Sequence, residues 1–116
     1  MSYISGFVAA VPAARKEDYL NHAKVMADLF REFGATRVVE GWEDNVRDGK
    51  ITDLRRAVLA EPGEIIVFSW VEFPSREVCD KAFDALMNDP RAAAAGDMPF
   101  DGKRMIYGGF SKILEA

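Results

Sequence analysis

This sequence predicts an α+β domain of βαββαβ order, a four-stranded antiparallel sheet carrying two helices on one face. Three observations predict it. Two stretches have the apolar spacing of amphipathic helices, four segments around them have the residue types of strands, and the connections are too short for a second core. At 116 residues the chain has the size of one domain, 1–116. A domain of that size buries about two-thirds of its unfolded surface and needs neither metal nor disulfide to hold it.

Residues 3–11 read as the first strand, rich in aromatic and β-branched side chains and stopped by Pro12. Residues 15–33 read as a helix, because Tyr19, Ala23, Met26, Phe30 and Phe33 recur at spacings of three and four and share one face. Glu17 and Asp18 suit the dipole in its first turn, and Gly34 follows as a C-cap. Residues 36–43 form a second strand whose interleaved charges suit a sheet edge. A polar excursion over residues 44–53 turns at Asp48-Gly49. Residues 55–60 then read as extended, joined to a strand at 65–73 by a type II turn, Glu61-Pro62-Gly63-Glu64. These two segments form a hairpin, with the second strand resuming after its excursion. Ser75 caps the second helix, which has Glu77 in its first turn and Val78, Ala82, Phe83 and Leu86 as its stripe. Asp89-Pro90 opens a short extra turn ended by Gly96, and a loop turns at Asp101-Gly102. Residues 104–114 read as the last strand, where Gly108-Gly109 marks a bulge or a close backbone approach.

This order is ferredoxin-like, with the first and third strands central. In the third strand both alternating sets are apolar: Ile66, Phe68 and Trp70 on one side, Ile65, Val67, Val71 and Phe73 on the other. In the first, Phe7, Ala9 and Val11 oppose Ile4, Val8 and Ala10. Strands apolar on both faces are covered on both faces, and the helices cover only one. Four strands of about six residues present on the order of 400 Å² per face. Covering two such faces is worth roughly 20 kcal/mol gross, against an association cost of about 4–15 kcal/mol. The sequence therefore predicts a homodimer joined through the helix-free sheet face, a dimeric α/β barrel. The alternative is that the excursion or the C-terminus folds over that face.

The net charge of −4 and the dispersal of basic residues, adjacent only at Arg55-Arg56 and Lys103-Arg104, speak against nucleic acid as a partner. No stretch approaches the roughly 20 apolar residues of a membrane helix. The N-terminal residues lack the basic region and cleavage site of a secretory leader. A single cysteine, Cys79, fits a reducing compartment, so a cytoplasmic protein is expected. One histidine and one cysteine cannot build a zinc site within one chain, no Gly-rich phosphate loop is present, and no cofactor is called for.

Four segments carry a resemblance: Gly6-Phe7-Val8, Val67-Phe68-Ser69-Trp70, Pro74-Ser75-Arg76-Glu77-Val78, and the run from Met98-Pro99-Phe100-Asp101-Gly102 through Lys103-Arg104-Met105-Ile106-Tyr107 to Gly108-Gly109-Phe110. With them the chain resembles, over essentially its whole length, the bacterial YbaA-like family of unknown function. That family in turn resembles the dimeric α/β-barrel superfamily, which includes small cofactor-independent monooxygenases and haem-degrading or dye-processing relatives. The resemblance implies the same fold and a pocket between helices and sheet. Cys79 stands where the family pattern implies an arginine.

His22, the only histidine, borders the apolar stripe of the first helix. Facing the implied pocket it would serve as a general base or haem ligand; otherwise it is a half-buried, hydrogen-bonded core residue. Asp101, Lys103, Arg104 and Tyr107 place an acid, two bases and a phenol in one loop-to-strand turn. That set suits an anionic or phenolic ligand, or else simply holds loop and dimer contacts. Trp70 is expected to line an apolar pocket with Tyr107, or to be core. Cys79 reads as a small buried hydrophobe rather than a nucleophile. Glu40, Glu43 and Asp44 lie on or beside an edge strand, where solvent is the expected neighbour. His22 and Tyr107 are thus the catalytic candidates, and Trp70, Asp101, Arg104 and Tyr107 the ligand-binding ones. The preferred function is binding, and oxidation or isomerisation, of a small aromatic or hydrophobic molecule in a helix–sheet pocket. The alternatives are a non-catalytic dimeric accessory protein and, last, an RNA-associated one.

Overall fold

Two ten-residue strands form the spine of the molecule, β1 (Tyr3–Pro12) and β3 (Glu64–Phe73), paired antiparallel from Tyr3 opposite Phe73 to Pro12 opposite Glu64. The structure is a computed structural model describing residues 2–116; Met1 lies outside them. β2 (Arg37–Trp42) flanks β3, and β4 (Ile106–Ser111) flanks β1, giving the antiparallel order β2-β3-β1-β4. A 3-10 turn (Ala13–Arg15) leads into α1 (Lys16–Glu32). The remaining helices are α2 (Leu54–Ala57), α3 (Arg76–Met87) and α4 (Pro90–Ala94). The βαββαβ order read from the sequence is therefore present.

Local chemistry sets the ends of these elements. Ser75 Oγ accepts from the Val78 amide (3.2 Å) and Asp89 Oδ1 from the Arg91 amide (2.8 Å), so α3 and α4 start on side-chain caps. Gly34, at φ +116°, ends α1 where a Cβ would stand 2.7 Å from Val78 Cγ1; both the backbone and the packing require glycine. The turn before β3 closes with the Glu64 amide donating to the Glu61 carbonyl (3.1 Å) and Gly63 at φ +85°.

Strand alternation divides the core. On the helix side, Val11 and Val67 pack with Tyr19 and Ala23 of α1, while Val71 and Phe73 pack with Cys79 and Ala82 of α3. On the other side, Val8, Ala10 and Ile66 are buried under Val58, with Val46 and Ala60 around them. This arrangement corrects two expectations. Residues 55–60 do not extend the second strand. Asp53 instead caps the short helix α2, its side chain accepting from the Arg56 amide (2.8 Å), and four residues are too few to display a helical period in sequence. The helix-free face is also not left wholly open. The stretch 44–63 folds back across one end of it, and only the other end, with Phe68 53% and Phe110 61% exposed, remains bare.

The last strand is shorter than expected and carries no bulge, since Gly6 to Gly108 and Ser5 to Gly109 pair in unbroken register. Gly109 is instead a close approach. A Cβ there would fall 2.0 Å from Tyr3 Oη, because the Tyr3 ring lies over it. Among the described residues no helix is long and apolar enough to cross a membrane.

Candidate functional site

A cleft of about 350 Å³ opens between α1, α3 and the sheet, and residues 96–105 close its rim. Its walls are apolar, with Phe30 and Phe83 edge to face (5.1 Å) at one end and Met26, Met98 and Met105 around the opening. Methionine suits such a wall because its unbranched, polarisable side chain adapts to different shapes.

The floor is polar. The β2–β3 register sets Glu40 directly opposite Ser69 on the helix side of the sheet, and Tyr19 descends onto both from α1. Tyr19 Oη and Ser69 Oγ both donate to Glu40 Oε1, each at 2.5 Å. Tyr19 and Ser69 are only 5% and 1% exposed. Burial, and after it the charge and hydrogen bond of Glu40, push the Tyr19 phenol far above its ordinary range, so it remains a donor. The Tyr19 ring packs tilted against Trp42 (6.1 Å) and Phe100 (5.8 Å). Lys16 Nζ lies 5.4 Å over the Trp42 ring.

His22 lies one turn after Tyr19 on the same face of α1 and lines the cleft. Burial lowers its pKa below the ordinary 6.5, while the nearby charge of Glu40 pulls the other way; the imidazole is neutral at pH 7. His22 also borders a second, polar cavity of about 320 Å³ edged by Arg15, Asp18, Asn21 and Asp97. It therefore stands in the wall between a polar space and a mainly apolar one.

The other residues singled out from the sequence do not join His22. Trp70 lies on the helix-free face, opposite Gly6 and Val39 in register, with its ring edge-on to Phe68 (6.0 Å) and its Nε1 donating to Glu72 (3.0 Å). Asp101 shapes its own turn, accepting from the Lys103 amide (3.0 Å) and from Arg104 Nε (3.2 Å). Arg104 holds Glu64 through two bonds (2.7 and 2.8 Å) and the Leu59 carbonyl through a third (2.9 Å), which ties the loop to the start of β3. Tyr107 is 77% exposed on the edge strand, beside a shallow groove of about 300 Å³ formed by Phe68, Ile106 and Phe110. The convergence of His22, Trp70 and Tyr107 on one cavity is thus not formed, because the sheet separates Trp70 from His22. Cys79 is buried beside Phe73 and Ala82, and burial raises its thiol pKa.

The sequence reading placed Glu40 on an edge strand in solvent, and it is exposed there; what that reading did not include is its contact with Tyr19 and Ser69. A signal for it was present: Val38, Glu40 and Trp42 alternate, so the acid sits in the middle of an apolar set that faces the helices. Its neighbour Glu43 points the other way and is structural, accepting from the Ile66 amide (2.8 Å) and pairing with Arg55. Of the basic residues that would suggest RNA, Arg55 is paired with Glu43, Arg56 with Asp53, and Arg104 with Glu64. Among the described residues no cluster of His, Cys, Asp and Glu is arranged to hold a metal ion.

Comparison with known proteins agrees with this architecture. The structure is similar to a crystal structure of a dimeric ferredoxin-like protein of unknown function from Jannaschia sp. CCS1, with a TM-score of 0.58 and 14% identity, covering 95% of this chain and 99% of that one. At that identity the likeness speaks for the fold alone. In sequence the chain is 56% identical over 116 residues to uncharacterized protein YbaA of Escherichia coli K12 and of Shigella flexneri, covering 99% of each chain. These are the relatives the sequence motifs pointed to. With its residues 2–102 matching the corresponding family model, the chain belongs to the family of proteins of unknown function DUF1428.

Proposed function

We propose that this protein is a cytoplasmic homodimer that binds a small, mainly apolar molecule in the helix–sheet cleft of each copy. The observation that carries the reading is the cleft itself: an apolar-walled space of ligand size with one hydrogen-bonded polar cluster at its floor. Binding sites commonly have this composition, in which apolar walls supply affinity and a few convergent polar groups set orientation. The Tyr19–Glu40–Ser69 cluster is held by a helix and two paired strands, so it is pre-organised rather than assembled by the ligand.

The pairing of two copies through the bare end of the helix-free face is supported by its exposed Phe68, Ile106 and Phe110. With the excursion covering the other end, about half the face remains, worth roughly 10 kcal/mol gross for two copies. That lies within the cost of association, about 4–15 kcal/mol. Ile113 and Leu114, almost wholly exposed just past β4, would add apolar area at the margin.

Amide chemical-shift mapping with a set of small aromatic and aliphatic fragments tests the cleft. The expected shifts concentrate at Met26, Val38, Glu40 and Met98, and disappear in Ala27→Phe, which fills the space from α1. Fragments that bind elsewhere, or bind Ala27→Phe equally well, defeat the reading. Light scattering tests the assembly: a stable monomer at micromolar concentration refutes the dimer.

A further inference from the structure

We propose that the ligand of this cleft is a cation, a hydrophobic amine protonated at neutral pH. Its apolar body would lie among the Met and Phe side chains, with its ammonium group against Glu40. The inference rests on the cleft reading above and adds the ligand's charge. Glu40 is the one formally charged side chain among the residues that line the cleft, and neither lysine nor arginine lines it. The cleft therefore carries one anion, exposed on the edge strand β2, and no lysine or arginine among its lining residues.

The hydrogen bonding gives that anion a direction. Both hydroxyl donors meet Glu40 on Oε1, and among the described residues nothing donates to Oε2. Glu40 therefore has acceptor capacity to spare on Oε2. The neighbouring imidazole of His22 is neutral and adds no positive charge of its own. Outside the lining, Lys16 lies over the Trp42 ring, and Arg15, Asp18 and Asp97 edge the separate polar cavity, where Arg15 and Asp18 pair with each other.

Three ligand classes meet this floor differently. A carboxylate would bring a second negative charge beside Glu40. An alcohol offers one neutral donor. A protonated amine offers up to three donors, no acceptor and the opposite charge, so its bond to the carboxylate is charge-assisted, about twice as strong as a neutral one. The Tyr19 and Phe100 rings, which line the same cleft, suit a cation as well. The basic residues that suggested an anionic or phenolic ligand lie elsewhere, with Arg104 tied to Glu64 and Asp101.

The test uses three probes of one carbon skeleton, phenethylamine, phenethyl alcohol and phenylacetate, titrated at neutral pH into the wild-type protein and Glu40→Gln and followed by amide shifts. Glu40→Gln keeps an oxygen for Tyr19 and Ser69 to donate to, and replaces the charged free oxygen with a neutral amide NH2. The expected result is that phenethylamine binds at least about tenfold more tightly than either analogue, and that Glu40→Gln reduces this preference to about twofold or less. Equal binding of the alcohol, tighter binding of phenylacetate, or a preference that survives in Glu40→Gln overturns the assignment of a cation and leaves the cleft reading intact. The comparison of probes on the wild-type protein stands even if the variant is unstable. If none of the probes shifts the amides of cleft residues, the cleft reading falls and the cation with it.

Discussion

Replacing Tyr19 by phenylalanine removes one oxygen and keeps the ring against Trp42 and Phe100. The lost hydroxyl is one of two donors, each at 2.5 Å, to Glu40 Oε1. A hydrogen bond to a charged group is worth about 1.5–3 kcal/mol. Ser69 keeps its bond to the same oxygen, and water can reach Glu40 from the cleft, so the lower end applies: a loss of about 1.5 kcal/mol. For a domain of this length that corresponds to a Tm lower by roughly 5–9 °C. Urea denaturation should show the loss as a lower midpoint with an unchanged slope, since the surface exposed on unfolding is nearly the same. The same substitution in a Glu40→Gln background should cost about half as much, because a neutral acceptor makes the weaker bond. A loss below about 0.5 kcal/mol, or an equal loss in both backgrounds, would refute the view that Tyr19 is held by the charge of Glu40.

Further outcomes follow from other parts of the molecule. Phe68→Glu puts a charge in the middle of the bare sheet face and should give a folded monomer by light scattering; a variant that stays dimeric shows that the copies meet elsewhere. His22 binds its proton less readily folded than unfolded, so its contribution to stability is complete above pH 6.5 and is lost as pH falls through its lowered folded pKa. His22→Asn should remove that part of the stability–pH slope between pH 5 and 7, and an unchanged slope would contradict the burial of the imidazole. Gly109→Ala drives a methyl group into the Tyr3 ring and should cost about 1–3 kcal/mol in equilibrium unfolding. Adding Tyr3→Ala should relieve the clash, and additive losses in the double variant would show that the two residues do not meet.

Most of the fold was legible because its signals are local. The stripe from Tyr19 to Phe33 sets the buried face of α1, and Ser75 and Asp89 cap the helices the sequence placed after them. What escaped depends on what packs across from a residue. Leu54 to Ala57 has the composition of either strand or helix, and the cap from Asp53 decides the matter over a single turn. Glu40 is on an edge strand as expected, yet Tyr19 lies across it, and a contact spanning 21 residues of sequence leaves no trace in local spacing beyond the alternation of Val38, Glu40 and Trp42. His22 was recognised because it shares the turn geometry of Tyr19. Arg104 attracted notice for its charge, while its role in joining the loop to β3 depends on Glu64, 40 residues earlier.

The stretch 44–63 has one more consequence. Lying over one end of an otherwise greasy sheet, it leaves a landing area that is lopsided. In the proposed dimer a second copy rotated by half a turn would seat its own bare end there with the two overlying stretches at opposite margins, each acting as a stop against sliding. A flat, symmetric, sticky sheet would accept neighbours in many registers and could stack without end. In the proposed dimer each copy's open strip would be used up by the other, so a surface made for stickiness would end in a closed pair instead of a growing chain.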